Sequence, residues 1–198
     1  AVATLSRNWQ LELLRPLLGR EDVDLVLRSG TLRELLVQLG AHGLDVVLSN
    51  LPLPRDAENR LHSLLLDREP VGLVGRRARG QRPLRFPQDL ATTPVVLPSL
   101  QSEMRAAFDR LLEDAGIRPV ILAEVDDMAM LRLIARESGA LTLVPLVVVQ
   151  DELRGGRLVE RHRLPQLTEN FYAITTSRRF PNPLLRDLLD RRRPRPGG

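Results

Sequence analysis

The amino-acid sequence predicts an α/β protein with a mainly parallel sheet, folded as two similar lobes. Short runs rich in Val, Leu and Ile alternate with segments of helical period along almost all of the 198 residues, which is typical of this class. A polar, arginine-rich loop over residues 75–87 interrupts the alternation, and the same order of strands and helices then begins again. A chain of this length can bury a substantial core, either as one domain or as two lobes.

The first lobe contains five predicted strands and two predicted helices. The strands are expected at residues 1–5, 22–27, 44–48, 61–66 and 71–74. Ser6 caps a helix that runs to about Leu18 and is kinked or restarted at Pro16. Thr31 and Glu34 have the spacing of a capping box, which begins the second helix.

The second lobe repeats this order, and the chain then returns to the first lobe. Strands are predicted at residues 95–97, 120–125, 140–144 and 158–164, with a last strand at 171–175. Asp126 or Asp127 caps the helix that ends at Gly139, and Asn182 caps the last helix. The predicted organisation is lobe I at residues 1–74 plus 168–190, lobe II at 75–167, and a flexible basic tail at 191–198.

Several kinds of chemistry are excluded by residue types that the sequence lacks. It has no Cys, and all 29 of its basic residues are Arg, which removes thiolate zinc sites, thiol nucleophiles, Schiff bases and the P-loop lysine. His42, His62 and His162 stand apart, and no Ser lies in a G-x-S-x-G elbow. We therefore predict no catalytic residue, no metal ligand and no cofactor, and we expect that the protein is not an enzyme.

The positive charge is local rather than spread over a nucleic-acid surface. The formal net charge is +4, and the four arginines of the tail account for it. A second group in the 75–87 loop has no interleaved aromatic residues to stack on bases; it consists of Arg76, Arg77, Arg79, Arg82 and Arg85. Solvated loop charges are the plainer explanation of both groups.

No feature of the sequence indicates export or membrane insertion. It contains no run of about 18 apolar residues and no signal-peptide pattern, so we predict a cytoplasmic location. The first residue is Ala rather than Met, and a strand begins there at once. We therefore expect that the chain is part of a longer protein.

Two long stretches resemble the LysR-type transcriptional regulators. The first is "REDVDLVLRSGTLRELLVQLGAHGLDVVLS", where Leu36, Leu39, Leu44, Asp45 and residues 46–48 match the pattern of the family. The second is "GIRPVILAEVDDMAMLRLIARESGALTLVP", which contains the Gly-hydrophobic-Pro segment at 139–145. Within the family, "LPSLQSEMRAAFDRLLEDAGIRP" and "FYAITTSRRFPNPLL" look most like the regulators of sodium/proton antiporter genes.

The resemblance implies a fold and a function. The implied fold is periplasmic-binding-protein-like (type 2), with two Rossmann-like lobes and a central cleft. The implied function is an effector-sensing domain that binds a small molecule or ion between the lobes and controls an attached DNA-binding domain. DNA would be bound only through an N-terminal winged helix-turn-helix domain missing here, and the assembly would be a homodimer or homotetramer. The alternative is a periplasmic-type solute-binding protein with the same architecture.

Candidate ligand-binding residues follow from the rule that ligands gather beyond the carboxyl ends of parallel strands, near helix N-termini. The resemblance implies that these loops face each other across one cleft. Capping of the following helix is at least as plausible a role for the Ser, Thr and Asp residues among them. The candidates are Ser6, Arg7, Gly30, Thr31 and Asn50 in the first lobe, and Ser99, Gln101, Ser102, Asp126 and Asp127 in the second.

Overall fold

The computed structural model describes residues 2–3, 5–53, 61–77, 80, 82–177 and 182–190. The strands are β1 (Val2–Ala3), β2 (Val47–Ser49), β3 (Leu61–Arg76), β4 (Pro94–Pro98), β5 (Val120–Val125), β6 (Leu141–Pro145) and β7 (Leu158–Thr176). The α-helices are α1 (Arg7–Leu14), α2 (Leu32–Gly40), α3 (Glu103–Asp114), α4 (Met128–Glu137), α5 (Gln150–Arg154) and α6 (Pro183–Asp190). Short 3-10 helices lie at Arg15–Leu17, Gln88–Ala91 and Leu146–Val149. None of the helices in these described ranges is long and apolar enough to cross a membrane.

The chain forms two compact units. Unit 1 consists of Ala1–Arg68 and Asn170–Gly198, and unit 2 consists of Glu69–Glu169. The hydrogen-bonded strand order among the described residues is β1-β2-β7-β3-β6-β4-β5. The long strands β3 and β7 each belong partly to unit 1 and partly to unit 2.

Unit 1 is built on a short parallel pair of strands and helix α2. Strand β1 pairs in parallel with β2, with Ala3 opposite Ser49, and β2 pairs antiparallel with β7. Helix α2 buries Leu35 and Leu39, as its helical spacing of apolar residues predicts. These two side chains form a core with Leu44, Val47 and Ile174.

Unit 2 contains a larger sheet with a core on each face. Strands β5 and β6 both pair in parallel with β4, and β3 pairs antiparallel with β6. Successive side chains of a strand point to opposite faces, so Val95 and Leu97 join the cluster around Phe108 of α3, whereas Val96 joins the cluster around Leu131 of α4. The predicted α/β class is therefore confirmed, but the sheet is mixed rather than mainly parallel, because the long strands β3 and β7 pair antiparallel with β6 and β2.

The strand predicted over residues 22–27 is wrong. Residues 23–28 are irregular, and within this part of the chain only Ser29 forms an isolated bridge. The segment has the composition of a strand, but β-structure needs a neighbouring ladder. The described part of β1, Val2–Ala3, pairs with β2 and not with this segment. Leu25, Val26 and Leu27 are consequently exposed.

Two further corrections concern strands that the sequence divides. The predicted strands 61–66 and 71–74 are one continuous strand, β3, and the predicted strands 158–164 and 171–175 are one continuous strand, β7. Pro70 and Pro165 lie within these two strands, although proline removes a ladder donor. Both are tolerated within these long strands. The predicted tail at 191–198, together with Ala1 and Thr4 of the predicted first strand, lies outside the described residues.

Candidate functional site

The predicted ligand residues of unit 2 lie at one edge of its sheet. Strands β4 and β5 are parallel, so the loops that follow them leave the sheet on the same side. The Ser99 backbone N–H donates a hydrogen bond to the Val125 carbonyl at 3.1 Å, which joins the two loops directly. The structure thus brings residues 99–102 together with Asp126 and Asp127.

Two of these residues cap helices. Ser102 Oγ accepts a hydrogen bond from the Arg105 backbone N–H at 3.3 Å, and Asp127 Oδ1 accepts one from the Met130 N–H at 2.7 Å. The open choice between Asp126 and Asp127 as the cap is therefore settled in favour of Asp127. Gln101 and Asp126 are exposed, and Ser99 is half-buried. Capping is not the role of these last three residues.

A buried arginine supports the loop after β4. The guanidinium of Arg105 donates to the Pro98 carbonyl at 3.0 Å and forms ion pairs with Asp109 at 2.8 Å and Glu124 at 2.9 Å. Arg105 is buried, so these contacts fix the last residue of β4 against α3 and β5. Sequence reasoning missed this residue. The only signal was an Arg three positions after the cap Ser102, followed by an Asp four positions later.

Three of the predicted residues of unit 1 also follow parallel strands, whereas Gly30 and Thr31 do not, because the strand predicted before them at 22–27 is not formed. Ser6 and Arg7 come after β1, and Asn50 comes directly after β2. Ser6 is buried, and its Oγ accepts a hydrogen bond from the Trp9 N–H at 3.4 Å. Arg7 and Gly30 are exposed, and Asn50 is half-buried. Ser6 therefore caps the helix that follows it, which is the alternative role given to the Ser candidates in the sequence analysis.

Thr31 and Glu34 form the predicted capping box. Thr31 Oγ1 accepts a hydrogen bond from the Glu34 N–H, and Glu34 Oε2 accepts from the Thr31 N–H at 3.1 Å and from its hydroxyl at 2.8 Å. These bonds, the hydroxyl bond first, lower the pKa of the Glu34 carboxyl below its ordinary value. The capping prediction for Thr31 is confirmed, and its hydroxyl already has a partner.

Unit 1 also contains a cavity that the sequence did not predict. Its volume is about 350 Å³, which is at the lower end of small-molecule sites. Most of its wall is apolar, with Asp24, Asp45, Arg28 and Asn182 as the side chains that carry charge or an amide. The apolar wall is formed mainly by the irregular segment 23–28 and by leucines of α1 and α6. None of the ten predicted ligand residues lines it.

Two histidines have specific partners. His62 Nε2 lies 2.8 Å from Ser177 Oγ in an exposed pair. His162 stacks on Phe86, with ring centroids 4.5 Å apart, and burial lowers the pKa of its imidazole. Across the described ranges of the chain, no group of three or more His, Asp or Glu side chains could hold a metal ion.

Comparisons with known proteins agree on one family. The model of the family described as LysR substrate binding domain matches residues 1–195. The transcriptional activator protein NhaR of Escherichia coli (strain K12) is 24% identical over 170 residues, which are 86% of this chain and 56% of NhaR. The chain thus spans little more than half the length of that relative.

Two solved structures share the fold. The apo regulatory domain of HypT from Salmonella typhimurium superposes with a TM-score of 0.70 at 16% identity, covering 94% of this chain and 90% of that one. The effector binding domain of QuiR in complex with shikimate gives a TM-score of 0.65 at 15% identity, covering 96% and 92%. Because the family match extends over nearly the whole chain, this chain belongs to the LysR substrate binding domain family and has the periplasmic-binding-protein-like α/β fold of LysR regulatory domains.

Proposed function

We propose that this chain is the effector-sensing part of a transcriptional regulator and that its effector binds at the strand-end loops. The observation that carries the proposal is the hydrogen bond from the Ser99 N–H to the Val125 carbonyl, because it places the loops after β4 and β5 side by side at one sheet edge. Ser99, Gln101 and Asp126 are not used as caps there. DNA would be bound by an N-terminal winged helix-turn-helix domain.

The effector is expected to be small and polar. The ends of β4 and β5 present the N-termini of α3 and α4, whose backbone N–H groups and partial positive charge favour acceptor groups. Asp126 and Asp127 add two carboxylates at the same edge, so the ligand must also carry donors or a positive charge. A small hydroxylated acid or a cation fits these conditions. Shikimate, a hydroxylated acid, is the ligand in the QuiR structure.

Ser99→Ala is expected to weaken effector binding without lowering stability. Ser99 Oγ has no hydrogen bond to any described residue, so its loss removes only a ligand contact. We expect affinity to fall roughly 2- to 10-fold, the effect of one hydrogen bond, with an unchanged Tm. Affinity is measured by calorimetric titration with shikimate and with salts. Sodium chloride is compared with potassium chloride to test the cation, and potassium bromide is compared with potassium chloride to test the anion.

Two further variants make this test specific. Ser138→Ala removes a hydroxyl that accepts from the Ala140 N–H at the other end of α4, and it should leave affinity unchanged. Thr31→Ala removes a predicted ligand residue and a cap, so it should lower stability by about 1 kcal/mol and also weaken binding. Loss of stability with unchanged affinity would reduce Thr31 to a cap. Unchanged affinity in Ser99→Ala, or no saturable heat from any probe, would count against the site.

We infer that the chain associates with a second copy of itself through exposed apolar edges. The apolar stripes of α2 and α3 are largely buried in their own units. Strand β5 is the last strand of the order and exposes three consecutive apolar residues, Val120, Ile121 and Leu122. Unit 1 exposes Val26 and Leu27 of the irregular segment. A pair of such patches, one on each unit, suits a two-fold assembly in which each patch is used twice.

Leu122→Arg is expected to shift this assembly to monomers. Leu122 is 59% exposed, so arginine fits the single chain but places an unpaired charge in the interface. Sedimentation analysis should show that the dissociation constant of self-association rises at least tenfold, which corresponds to a loss of roughly 1.4 kcal/mol or more. Val37→Arg changes an equally exposed apolar residue of α2 and should have no effect. Equal behaviour of the two variants, or a monomeric parent chain, would contradict the proposed interface.

The remaining parts of the proposal follow from the family. LysR-type regulators act on transcription rather than by turnover of a substrate, so we propose that this chain is not an enzyme and that it acts in the cytoplasm, where DNA is found. Binding would shift the population of conformations of the domain, and the attached DNA-binding domain would respond. The resemblance to the regulators of sodium/proton antiporter genes suggests a monovalent cation as one effector to test first.

A further inference from the structure

A buried carboxylate in unit 2 organises two exposed arginines of the 75–87 loop. The Asp89 side chain is 6% exposed and accepts hydrogen bonds from the Arg85 backbone N–H at 3.0 Å and from its guanidinium at 3.2 and 3.3 Å. Arg82 Nη2 lies 3.3 Å from the same Asp89 oxygen. Together these bonds lower the pKa of Asp89 below its ordinary value, the bond from the Arg85 backbone having the largest effect. The carboxyl therefore stays ionised and holds both side chains.

Both guanidinium groups remain largely open to solvent. The side chains of Arg82 and Arg85 are 66% and 71% exposed, and each guanidinium has five N–H donors. Only one or two donors of each are directed to Asp89. The remaining donors are thus available in a fixed orientation, so the entropy of ordering two long side chains has already been spent in folding.

A third arginine joins them from strand β7. Arg161 Nη2 donates to the Arg82 carbonyl at 2.9 Å, and its neighbour His162 stacks on Phe86, which follows Arg85. These two contacts lock the loop onto the strand. Burial and, second, the charge of Arg82 lower the pKa of Arg161, while Asp89 acts in the opposite direction. Repulsion from Arg82 therefore acts on Arg161 together with the cost of burial.

Among the carboxylates that the structure describes, only Asp89 forms an ion pair with this group. Three arginines face one buried carboxylate, which leaves two positive charges in excess. Glu160 is close in sequence, but it is engaged by Arg163 through two hydrogen bonds of 2.8 and 2.9 Å. An anchor for the loop would need only Arg85, whose backbone and side chain both bind Asp89. It would not explain why Arg82 and Arg161 are held beside it.

We propose that Arg82, Arg85 and Arg161, arranged around Asp89, form a binding site for a phosphate group. Fixed guanidinium groups match the oxygens of a phosphate with paired N–H donors, and arginine is weakly hydrated compared with lysine. The phosphate belongs either to a small phosphorylated molecule or to the backbone of duplex DNA. This site is separate from the strand-end loops, and the inference does not depend on the proposed effector site.

The test compares two double variants with the same change in charge. Arg82→Gln with Arg161→Gln removes two members of the site, whereas Arg110→Gln with Arg118→Gln removes two exposed arginines elsewhere in unit 2. At constant ionic strength, the whole chain is titrated with inorganic phosphate, with glucose 6-phosphate and with an unrelated 20-base-pair DNA duplex. The first double variant should weaken binding roughly tenfold or more, and the second by less than about twofold.

The probes also separate the two sources of phosphate. Saturable binding of inorganic phosphate or glucose 6-phosphate indicates a small ligand. Binding of the duplex alone, with a salt dependence that loses roughly two units of slope in the first variant, indicates backbone contacts. Equal losses in both double variants would overturn the site, because net charge would then suffice. Failure of the parent chain to bind any of the three probes would overturn it as well.

Asp89→Asn gives a second, opposite test of preorganisation. This change removes the one negative charge of the group, so simple attraction would make phosphate binding tighter. If the carboxylate holds the arginines in place, binding should instead become severalfold weaker. Thermal melting monitors whether the variant is folded at the titration temperature. Tighter binding by the folded variant would contradict the proposed role of Asp89.

Discussion

Trp9→Ala is expected to lower the free energy of unfolding by about 3–5 kcal/mol, the usual cost of deleting a buried aromatic side chain. Trp9 is fully buried in unit 1, its ring centroid lies 4.6 Å from that of Phe171, and its Nε1–H donates to Asp67 Oδ2 at 3.1 Å. The substitution therefore removes apolar packing, an aromatic pair and a hydrogen bond together. No other side chain in the described chain combines these three contacts.

The position of Trp9 gives this loss a functional meaning. Asp67 lies near the end of the part of β3 that belongs to unit 1, and Phe171 lies near the start of the corresponding part of β7. Helix α1, which carries Trp9, begins directly after the predicted ligand residue Ser6. Trp9 therefore fixes the cap of α1 relative to both long strands. We expect Trp9→Ala to disturb the Ser6 loop as well as global stability.

Urea unfolding followed by circular dichroism measures this effect, because Trp9 is the only tryptophan of the chain and the variant has no indole fluorescence. Trp9→Phe is the matched control. It keeps a ring against Phe171 but loses the donor to Asp67, so it should cost about 1–3 kcal/mol. A cost below about 1 kcal/mol for Trp9→Ala would show that the surrounding core does not depend on this side chain.

Arg132→Met is the second substitution with a large expected effect, and it should lower the free energy of unfolding by about 3–5 kcal/mol. Arg132 Nε lies 2.7 Å from Glu152 Oε1, and Glu152 is only 3% exposed. The other carboxylate oxygen of Glu152 is buried without a hydrogen-bond partner. Methionine packs as arginine does but has no charge, so a buried carboxylate would lose its ion-pair partner. The removal of one partner of a buried pair is much more costly than replacement of both.

A double variant and a control on the same helix make the prediction specific. Arg132→Met combined with Glu152→Leu should recover most of the lost stability, because no buried charge then remains. Arg136→Met removes the partner of Glu137, which is 75% exposed and 3.8 Å away, and should cost no more than about 1 kcal/mol. Urea midpoints of the four proteins provide the comparison. A double variant that is no more stable than Arg132→Met alone would contradict a buried ion pair.

Local chemistry made several elements of the fold predictable from the sequence. The capping box at Thr31 and Glu34, strand 120–125 and the cap at Asn182 all depend on residues close together in the chain. The resemblance to LysR-type regulators added the family, which the comparison confirms. The ten candidate ligand residues were chosen by a rule about strand ends. Their role in ligand binding stays a prediction, although the structure shows four of them as helix caps.

The structure differs from the sequence-based predictions where the outcome depends on contacts between residues that are distant in the chain. The segment at 22–27 has strand-forming residues, but it pairs with no strand of the sheet among the described residues. Residues 61–66 and 71–74 were expected as two strands, and so were 158–164 and 171–175, but each pair is one continuous strand, β3 or β7. Arg105 and Asp89 resembled ordinary surface charges in the sequence, and only burial against other elements gives them partners such as Glu124 and Arg82.

The amino-acid sequence was enough to establish the α/β class, the helix caps and the lack of Cys and Lys, because these follow from residue types and from spacings shorter than one element. Tertiary structure alone decided which strands find a partner, which arginines are held in place and where unit 1 has a cavity. Those outcomes depend on burial and on hydrogen bonds between residues far apart in the chain. The free energy of such contacts is fixed by their neighbours in space, which a linear pattern does not specify.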